Sequence, residues 1–198
     1  MNDLFSFKRF LEDKLKYKKT IYVIVSPTGI TSGRIPAKGY AGTTGRLDEI
    51  ARSFCSIIHN SSLGIAYLLG PPSPPLQLVY DPEECATDTT ERGIMNEIRK
   101  AYMNKRSCIR QWRIPLEFTI HALKKYRYLI YLLSEEGEDL EAAKLSGRIV
   151  LLLGSHIDIP ASIIESIGRL VDLKASIGPL SYQASQVIAY LEYAKGVC

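Results

Sequence analysis

Ser176-Ile177-Gly178-Pro179-Leu180-Ser181-Tyr182 is the stretch on which the reading of this chain turns. A largely apolar run, Leu170 to Leu173, leads into it, and a helix-like segment, Gln183 to Tyr193, follows. Gly178 tolerates a positive φ, while Pro179 fixes φ and removes an N–H donor, so regular structure breaks there. Ser181 then suits a helix N-cap. A strand–turn–helix junction of this kind offers free backbone amides to a ligand.

Working outward, strands and helices alternate. Tyr128–Leu133 and Arg148–Leu153 read as strands, the second the most hydrophobic of the chain and ending at Gly154. Leu116–Lys125 and Pro160–Leu170 read as helices, and Leu170–Ile177 as the strand before the turn. Glu135-Glu136-Gly137-Glu138-Asp139 reads as a solvated acidic turn. Upstream, Thr20–Val25, Ile65–Leu69 and Leu76–Tyr80 are runs of β-formers. Arg46–Ile58 and Glu91–Met103 have helical periodicity, with Leu47, Ile50, Phe54 and Ile57 on one inner face and Ile94, Ile98 and Ala101 on the other. The pattern predicts an α/β domain: a mostly parallel sheet with helices on both faces. Between Thr31 and Thr44 runs a Gly-rich loop carrying Arg34, and a loop this long in a compact domain is usually functional.

Residues 1–19 stand apart as a basic helical extension, leaving 20–198 as the main domain. Leu4, Phe7, Leu11 and Leu15 recur at near-helical spacing among six Lys and Arg residues, which predicts a helix docked on the domain with its lysines in solvent; the other reading is a basic amphipathic helix that touches RNA or an anionic surface. The whole chain carries 25 Lys and Arg against 21 Asp and Glu, an excess too small to demand nucleic acid by itself. No apolar run reaches the roughly 20 residues that span a bilayer, and the start lacks a signal-peptide apolar region, so a cytoplasmic protein is expected. Cys55, Cys85, Cys108 and Cys198 lie too far apart for a zinc motif and no metal is expected. They read as buried or free thiols, with a Cys85–Cys108 bridge left open.

In an open α/β sheet, ligands bind beyond the carboxyl ends of the strands. Three such ends stand out: Leu133, Gly154-Ser155-His156 and Ile177-Gly178-Pro179-Leu180. Together they predict a cleft of backbone donors and apolar side chains suited to a nucleoside-like cofactor. No GxGxxG follows a strand and there is no GxxxxGK[ST], which disfavours dinucleotide and P-loop sites. His156 is a candidate base, although a lone His is more often structural. Around Glu91–Arg113, basic residues including Arg92, Arg99 and Lys100 interleave with Tyr102 and Trp112. That mixture suits phosphate contacts and base stacking, and equally a solvated face with two aromatics beneath it.

Six segments, in order, resemble the SPOUT (trefoil-knot) methyltransferases and, within them, the archaeal tRNA pseudouridine N1-methyltransferase (TrmY) family. They are Thr31-Ser32-Gly33 with Ala41–Asp48; Leu68-Leu69-Gly70-Pro71-Pro72-Ser73-Pro74-Pro75; Glu91-Arg92 with Ile98–Ala101; Glu136-Gly137-Glu138-Asp139; Leu153-Gly154-Ser155-His156; and Ser176–Tyr182. The resemblance covers about residues 20–195 and implies a SPOUT fold with a deep C-terminal trefoil knot, an exception to the rule of unknotted chains. It implies a homodimer and S-adenosylmethionine as cofactor, held at Leu133, Gly154, Ile177, Gly178, Pro179, Leu180, Ser181 and Val187. Ser155 stands where the family has Asp and Val187 where it has Cys; contacts made through backbone groups tolerate both changes.

The activity implied is methylation of N1 of pseudouridine at position 54 in the tRNA T-loop. Asp48 is the candidate to orient or accept the N1 proton, and Arg46 to hold a phosphate or the uracil oxygens; alternatively, both residues cap the helix that starts there. Arg34, Arg92, Arg99 and Lys100 are the candidate RNA contacts. Two other readings keep the fold: an rRNA pseudouridine N1-methyltransferase of the Nep/Emg type, and a non-catalytic knotted RNA-binding protein.

Overall fold

The computed structural model describes residues 2–36, 39–85, 88–140, 147–178 and 180–197. In chain order the elements are α1 (Asn2–Lys14), β1 (Thr20–Ser26), α2 (Leu47–Cys55), β2 (Ser62–Leu68), β3 (Leu76–Tyr80), α3 (Glu91–Tyr102), β4 (Arg110–Trp112), α4 (Leu116–Lys125), β5 (Leu129–Asp139), β6 (Ile149–Gly154), α5 (Ala161–Ile167), β7 (Leu173–Ser176) and α6 (Ala184–Val197). A 3-10 turn, Gly168–Leu170, closes α5 one turn before the expected helix end.

One seven-stranded sheet runs β4-β3-β2-β1-β6-β5-β7. β1 pairs in parallel with β2 and β6, and β5 in parallel with β6 and β7. β1 is buried along its whole length because it is central and covered on both sides. Alternation along it divides the core. Tyr22 and Ile24 pack with α2, α3 and α6 residues such as Ile50, Phe54, Ile98 and Ile188. Ile21, Val23 and Val25 pack on the other face with Phe7 and Leu11 of α1, Leu15 just after it, Ile120 and Leu123 of α4, and Ile167 of α5. The expected doubly covered α/β sheet is therefore observed.

The sheet is mostly parallel as expected, and four details add to or change the reading. First, β3 pairs antiparallel with β2 and β4 at one edge. The β2–β3 connection, residues 69–75, is too short for the crossover that a parallel neighbour needs. Second, the acidic segment Glu135–Asp139 is not a free turn. It prolongs β5 and pairs with β7 through a register shift, so that Asp139 lies opposite Ser176 and Leu140 N donates to Ser176 O at 2.7 Å. The edge of β7 offers backbone groups that need partners, and this segment supplies them. Gly137 permits it: a Cβ there would lie 2.3 Å from the Ala175 carbonyl carbon.

Third, Cys85 and Cys108 form a disulfide that ties the loop after β3 to the segment entering β4. The thiol reading survives for Cys55, half-buried, whose thiol burial pushes up to about 11; Cys198 lies outside the described residues. Fourth, Tyr102 and Trp112 are not stacking platforms. Tyr102 OH donates to Ile30 O. Trp112 packs against Phe7 and Phe10 at centroid distances of 5.2 and 4.9 Å, and its Nε1 donates to Ser6 Oγ at 2.9 Å.

The docking expected for the N-terminal helix is observed, but its lysines are not all in solvent: Lys14 and Lys18 turn inward to buried Asp81. Lys18, fully buried, donates to Asp81 at 2.6 Å and to Asn60 O at 2.6 Å. Lys14 reaches the other Asp81 oxygen and Glu84. A buried charge persists only when paired in this way.

Candidate active site

The loops at the carboxyl ends of β5, β6 and β7 enclose a cavity of about 490 Å³ with the start of α6. The site is built as the strand-end rule requires, because parallel strands release their chains at one common edge. Leu133, Gly154, Ile177, Gly178, Leu180, Ser181 and Val187 all line it. The eighth expected cofactor residue, Pro179, lies outside the described residues. Ser176 Oγ accepts from Gly178 N at 3.1 Å and donates to Gly178 O at 2.8 Å, which holds the turn open to the cavity.

Leu153, Ile177, Ala184 and Val187 supply apolar walls, while Glu135, Glu136 and Asp158 bring negative charge to the lining. Lys174 meets Glu136 at 2.9 Å and holds its carboxyl below the usual range, first through that hydrogen bond and then through its charge. The two glutamates come from the segment read from sequence as a solvent turn; only its pairing with β7 brings them here. A slot of this size, lined about equally by polar and apolar groups and with three carboxylates to one lysine, fits a nucleoside that carries a positive charge.

The α2 start makes a second constellation. Arg46 precedes the helix with φ 68°, in the left-handed region, and makes no side-chain cap; Leu47 N is capped by Thr44 Oγ1 at 3.3 Å. Arg46 grips Asp48 bidentately, Nε lying 3.1 Å from both carboxylate oxygens and Nη2 3.0 Å from Oδ2, and it also meets Glu49. The hydrogen bond to Asp48 raises the Arg46 guanidinium above its ordinary value. Arg52 bridges Asp48, Glu49 and Glu91, and Tyr40 OH donates to Glu91 at 3.0 Å. Asp48 is buried, yet the Arg46 side chain is 41% exposed. The helix-cap alternative thus fails for Arg46, whose side chain serves Asp48 and presents the rest of its fork to solvent.

The four candidate RNA contacts divide. Arg34 and Arg92 are exposed. Lys100 is exposed but paired with Glu97 at 2.5 Å. Arg99 turns inward: Nε donates to Ile35 O at 3.0 Å and Nη2 to Pro36 O, so it clamps the Gly-rich loop. Arg113 does the same from β4's side, donating to Thr31 O at 2.8 Å and to Ser73 O. Arginine-to-carbonyl contacts spanning 40 to 82 residues of chain carry no local sequence signal. Among the described residues no group of His, Cys, Asp and Glu is arranged to hold a metal, and no helix is long and apolar enough to cross a membrane.

Comparison with known proteins agrees with this geometry. A family described as "Putative SAM-dependent RNA methyltransferase" matches residues 20–193. A tRNA (pseudouridine(54)-N(1))-methyltransferase of Aeropyrum pernix is 36% identical over 174 residues, covering 85% of this chain and 90% of its own. The enzyme of the same name from Pyrococcus abyssi is 27% identical, covering 86% and 94%. Archaeoglobus fulgidus Nep1, solved bound to S-adenosylhomocysteine, superposes with a TM-score of 0.64 at 13% identity over 89% of this chain and 96% of its own. The SpoU methyltransferase AviRb of Streptomyces viridochromogenes gives 0.53 at 11% identity over 92% of this chain and 61% of its own. The last two share the fold, which is the SPOUT fold expected from the sequence. With its family match spanning nearly the whole sheet and the cavity at its strand ends, the chain belongs to this SAM-dependent RNA methyltransferase family.

Proposed function

We propose that the protein methylates N1 of pseudouridine 54 in tRNA, with S-adenosylmethionine as donor. The observation that carries this is the cavity itself. Six residues picked out at or just after three separate strand ends, with Val187 on α6, converge on one nucleoside-sized slot, in a chain 36% identical to an enzyme of that name. The cofactor fits the lining: apolar walls for the adenine, backbone groups of Gly154, Ile177, Gly178, Leu180 and Ser181 for its polar edges, and Glu135, Glu136 and Asp158 to favour a cation. When bound, S-adenosylmethionine supplies a methyl group already activated by its sulfonium.

The chain's own task is then proximity and orientation. The target base sits inside folded RNA and must be turned out to react. Arg46, anchored by Asp48 with part of its fork exposed, holds a phosphate or the uracil oxygens. Among the described residues Asp48 Oδ1 takes only the shared Arg46 Nε bond, and it keeps acceptor capacity for the N1 proton. Arg34, Arg92 and Lys100 steer phosphates, and Arg99 shapes the loop between them. The protein acts as a cytoplasmic homodimer, its C-terminal segment threaded as a trefoil knot, with residues 1–19 as a docked extension of the catalytic domain.

The test is transfer from labelled S-adenosylmethionine to three RNAs: a T-loop tRNA with pseudouridine at 54, the same tRNA with uridine there, and a pseudouridine-containing small-subunit rRNA hairpin. Transfer to the first alone is expected. Transfer to the hairpin alone moves the substrate to the ribosome, and no transfer to any of them rejects the enzymatic reading.

A further inference from the structure

Three hydroxyl and imidazole groups connect the cofactor cavity to the turn that carries Arg46. Ser155 Oγ lies 3.1 Å from His156 Nδ1. His156 Nε2 lies 3.2 Å from Thr28 Oγ1. Thr28 Oγ1 donates to Gly45 O at 2.8 Å. Ser155 and His156 line the cavity; Thr28 lies outside its lining.

The chain has one consistent direction. Gly45 O can only accept, so the single Thr28 hydroxyl proton is spent on it. Thr28 Oγ1 must then accept from His156, which places a proton on Nε2. Nδ1 of that tautomer is an acceptor and takes the Ser155 hydroxyl proton. A serine at 155 meets this demand, whereas an aspartate there could only accept.

Its far end is the peptide that joins Gly45 to Arg46. Both residues are left-handed, with φ of 61° and 68°. That conformation costs a non-glycine residue roughly 1–2 kcal/mol and persists where surroundings impose it. The turn is pressed against Thr28: a Cβ on Gly45 would lie 1.8 Å from Thr28 O. Among the described residues the Arg46 amide makes only a long contact, 3.3 Å to Ala41 O. The hydrogen bond from Thr28 therefore bears directly on where Arg46 and Asp48 stand.

We propose that His156 is a positioning residue which, through Thr28, sets the Gly45–Arg46 turn relative to the cofactor cavity. Its importance for methyl transfer rests on the function proposed above; its hold on the turn does not. The test uses the full chain in three variants: Thr28→Val, which keeps shape and loses the hydroxyl, Thr28→Ser, which restores it, and His156→Leu.

In cofactor-free protein, Thr28→Val and His156→Leu should speed hydrogen exchange of the Arg46 and Leu47 amides about 10-fold, leaving Val23 and Leu152 unchanged, while Thr28→Ser exchanges as wild type. Nitrogen-15 spectra of the imidazoles should show His156 as the Nε2–H tautomer. In turnover, Thr28→Val should lower kcat about 10- to 100-fold and change S-adenosylhomocysteine affinity less than about 2-fold. Unchanged exchange at Arg46, or a proton on Nδ1 alone, overturns the proposal. So does a loss of cofactor affinity that accounts for the whole loss of rate. The exchange and tautomer readouts need neither cofactor nor RNA, so they test the hold on the turn even if the methyltransferase reading fails.

Discussion

Glu192 on α6 offers a sharp test of how the cavity is held in place. Its carboxylate is fully buried and accepts from Tyr22 OH at 2.8 Å, Ser62 Oγ at 2.7 Å, Lys195 at 2.7 Å and the backbone N–H groups of Ile58 and His59 at 3.1 and 2.9 Å. These bonds tie the helix that contributes Ala184 and Val187 to the cavity onto β1 and the segment entering β2. Glu192→Gln preserves shape and removes one acceptor. If the amide nitrogen faces Ile58 and His59, two part-buried backbone donors lose their partner, each at the lower part of about 1–3 kcal/mol. If it is flipped, the hydroxyls can turn to accept, but the largely buried Lys195 ammonium then faces an amide donor. Either arrangement costs about 3 kcal/mol, at the lower end for a broken buried pair. For a chain of this size that is a fall in Tm of about 6–12 °C.

The pH dependence gives an independent check. Burial alone pushes the Glu192 carboxyl up; the Lys195 charge and the hydrogen bonds from Lys195, His59 N and Ser62 outweigh it and hold the group below its ordinary value. A depressed carboxylate stabilises the fold above its unfolded value, about 4.3, and loses that contribution as pH falls through the folded value. The gap between wild type and Glu192→Gln should stay constant near neutrality and narrow only below about pH 4. Thermal unfolding followed by circular dichroism from pH 7 to pH 3 measures both effects. A Tm within 2 °C of wild type at pH 7, or a gap independent of pH throughout, would refute the reasoning.

Three further outcomes are expected. Gly137→Ala drives a Cβ to 2.3 Å from backbone that cannot yield, so it should destabilise the fold by about 1–3 kcal/mol and weaken S-adenosylhomocysteine binding in calorimetry, because the displaced segment carries Glu135 and Glu136. Wild-type affinity in that variant would remove the segment from the cavity wall. Reducing the Cys85–Cys108 bridge, or replacing both cysteines with serine, opens a loop between residues 23 apart and should cost about 3 kcal/mol by chain entropy, read as a lower denaturant midpoint. Asp48→Asn keeps the shape but withdraws the charge that anchors Arg46; methylation should fall at least about 100-fold with cofactor affinity unchanged, and wild-type turnover would take Asp48 out of the mechanism.

Much of the architecture was readable from local patterning. The continuous β-forming run Thr20–Val25 announced a strand buried on both faces, and the Leu47, Ile50, Phe54 periodicity announced a helix lying on one of them. Turn chemistry at Gly154 and Gly178-Pro179 located the cofactor loops, since glycine and proline constrain the backbone whatever surrounds them. The site's remaining parts are contacts between segments distant in sequence. Arg99 and Arg113 look like free RNA-binding charges in the chain and are carbonyl clamps in the fold. Glu135–Asp139 looks like solvent turn and becomes a strand because the β7 edge needs partners. Cys85 and Cys108 meet only once β3 and β4 are paired. Ser155, His156, Thr28 and Gly45 form one hydrogen-bonded line because two strand ends and a glycine-rich turn converge.

Local sequence was enough for six of the seven strands, the helices, the two-sided sheet and the backbone breaks where a cofactor can enter, because each depends on periodicity and φ preferences within a few residues; β4 and the far half of β5 were not legible there. The tertiary structure alone decided which charges are free, which are spent on holding loops, and how the cofactor cavity is joined to Arg46. Those depend on distances between residues tens of positions apart, which no local pattern encodes.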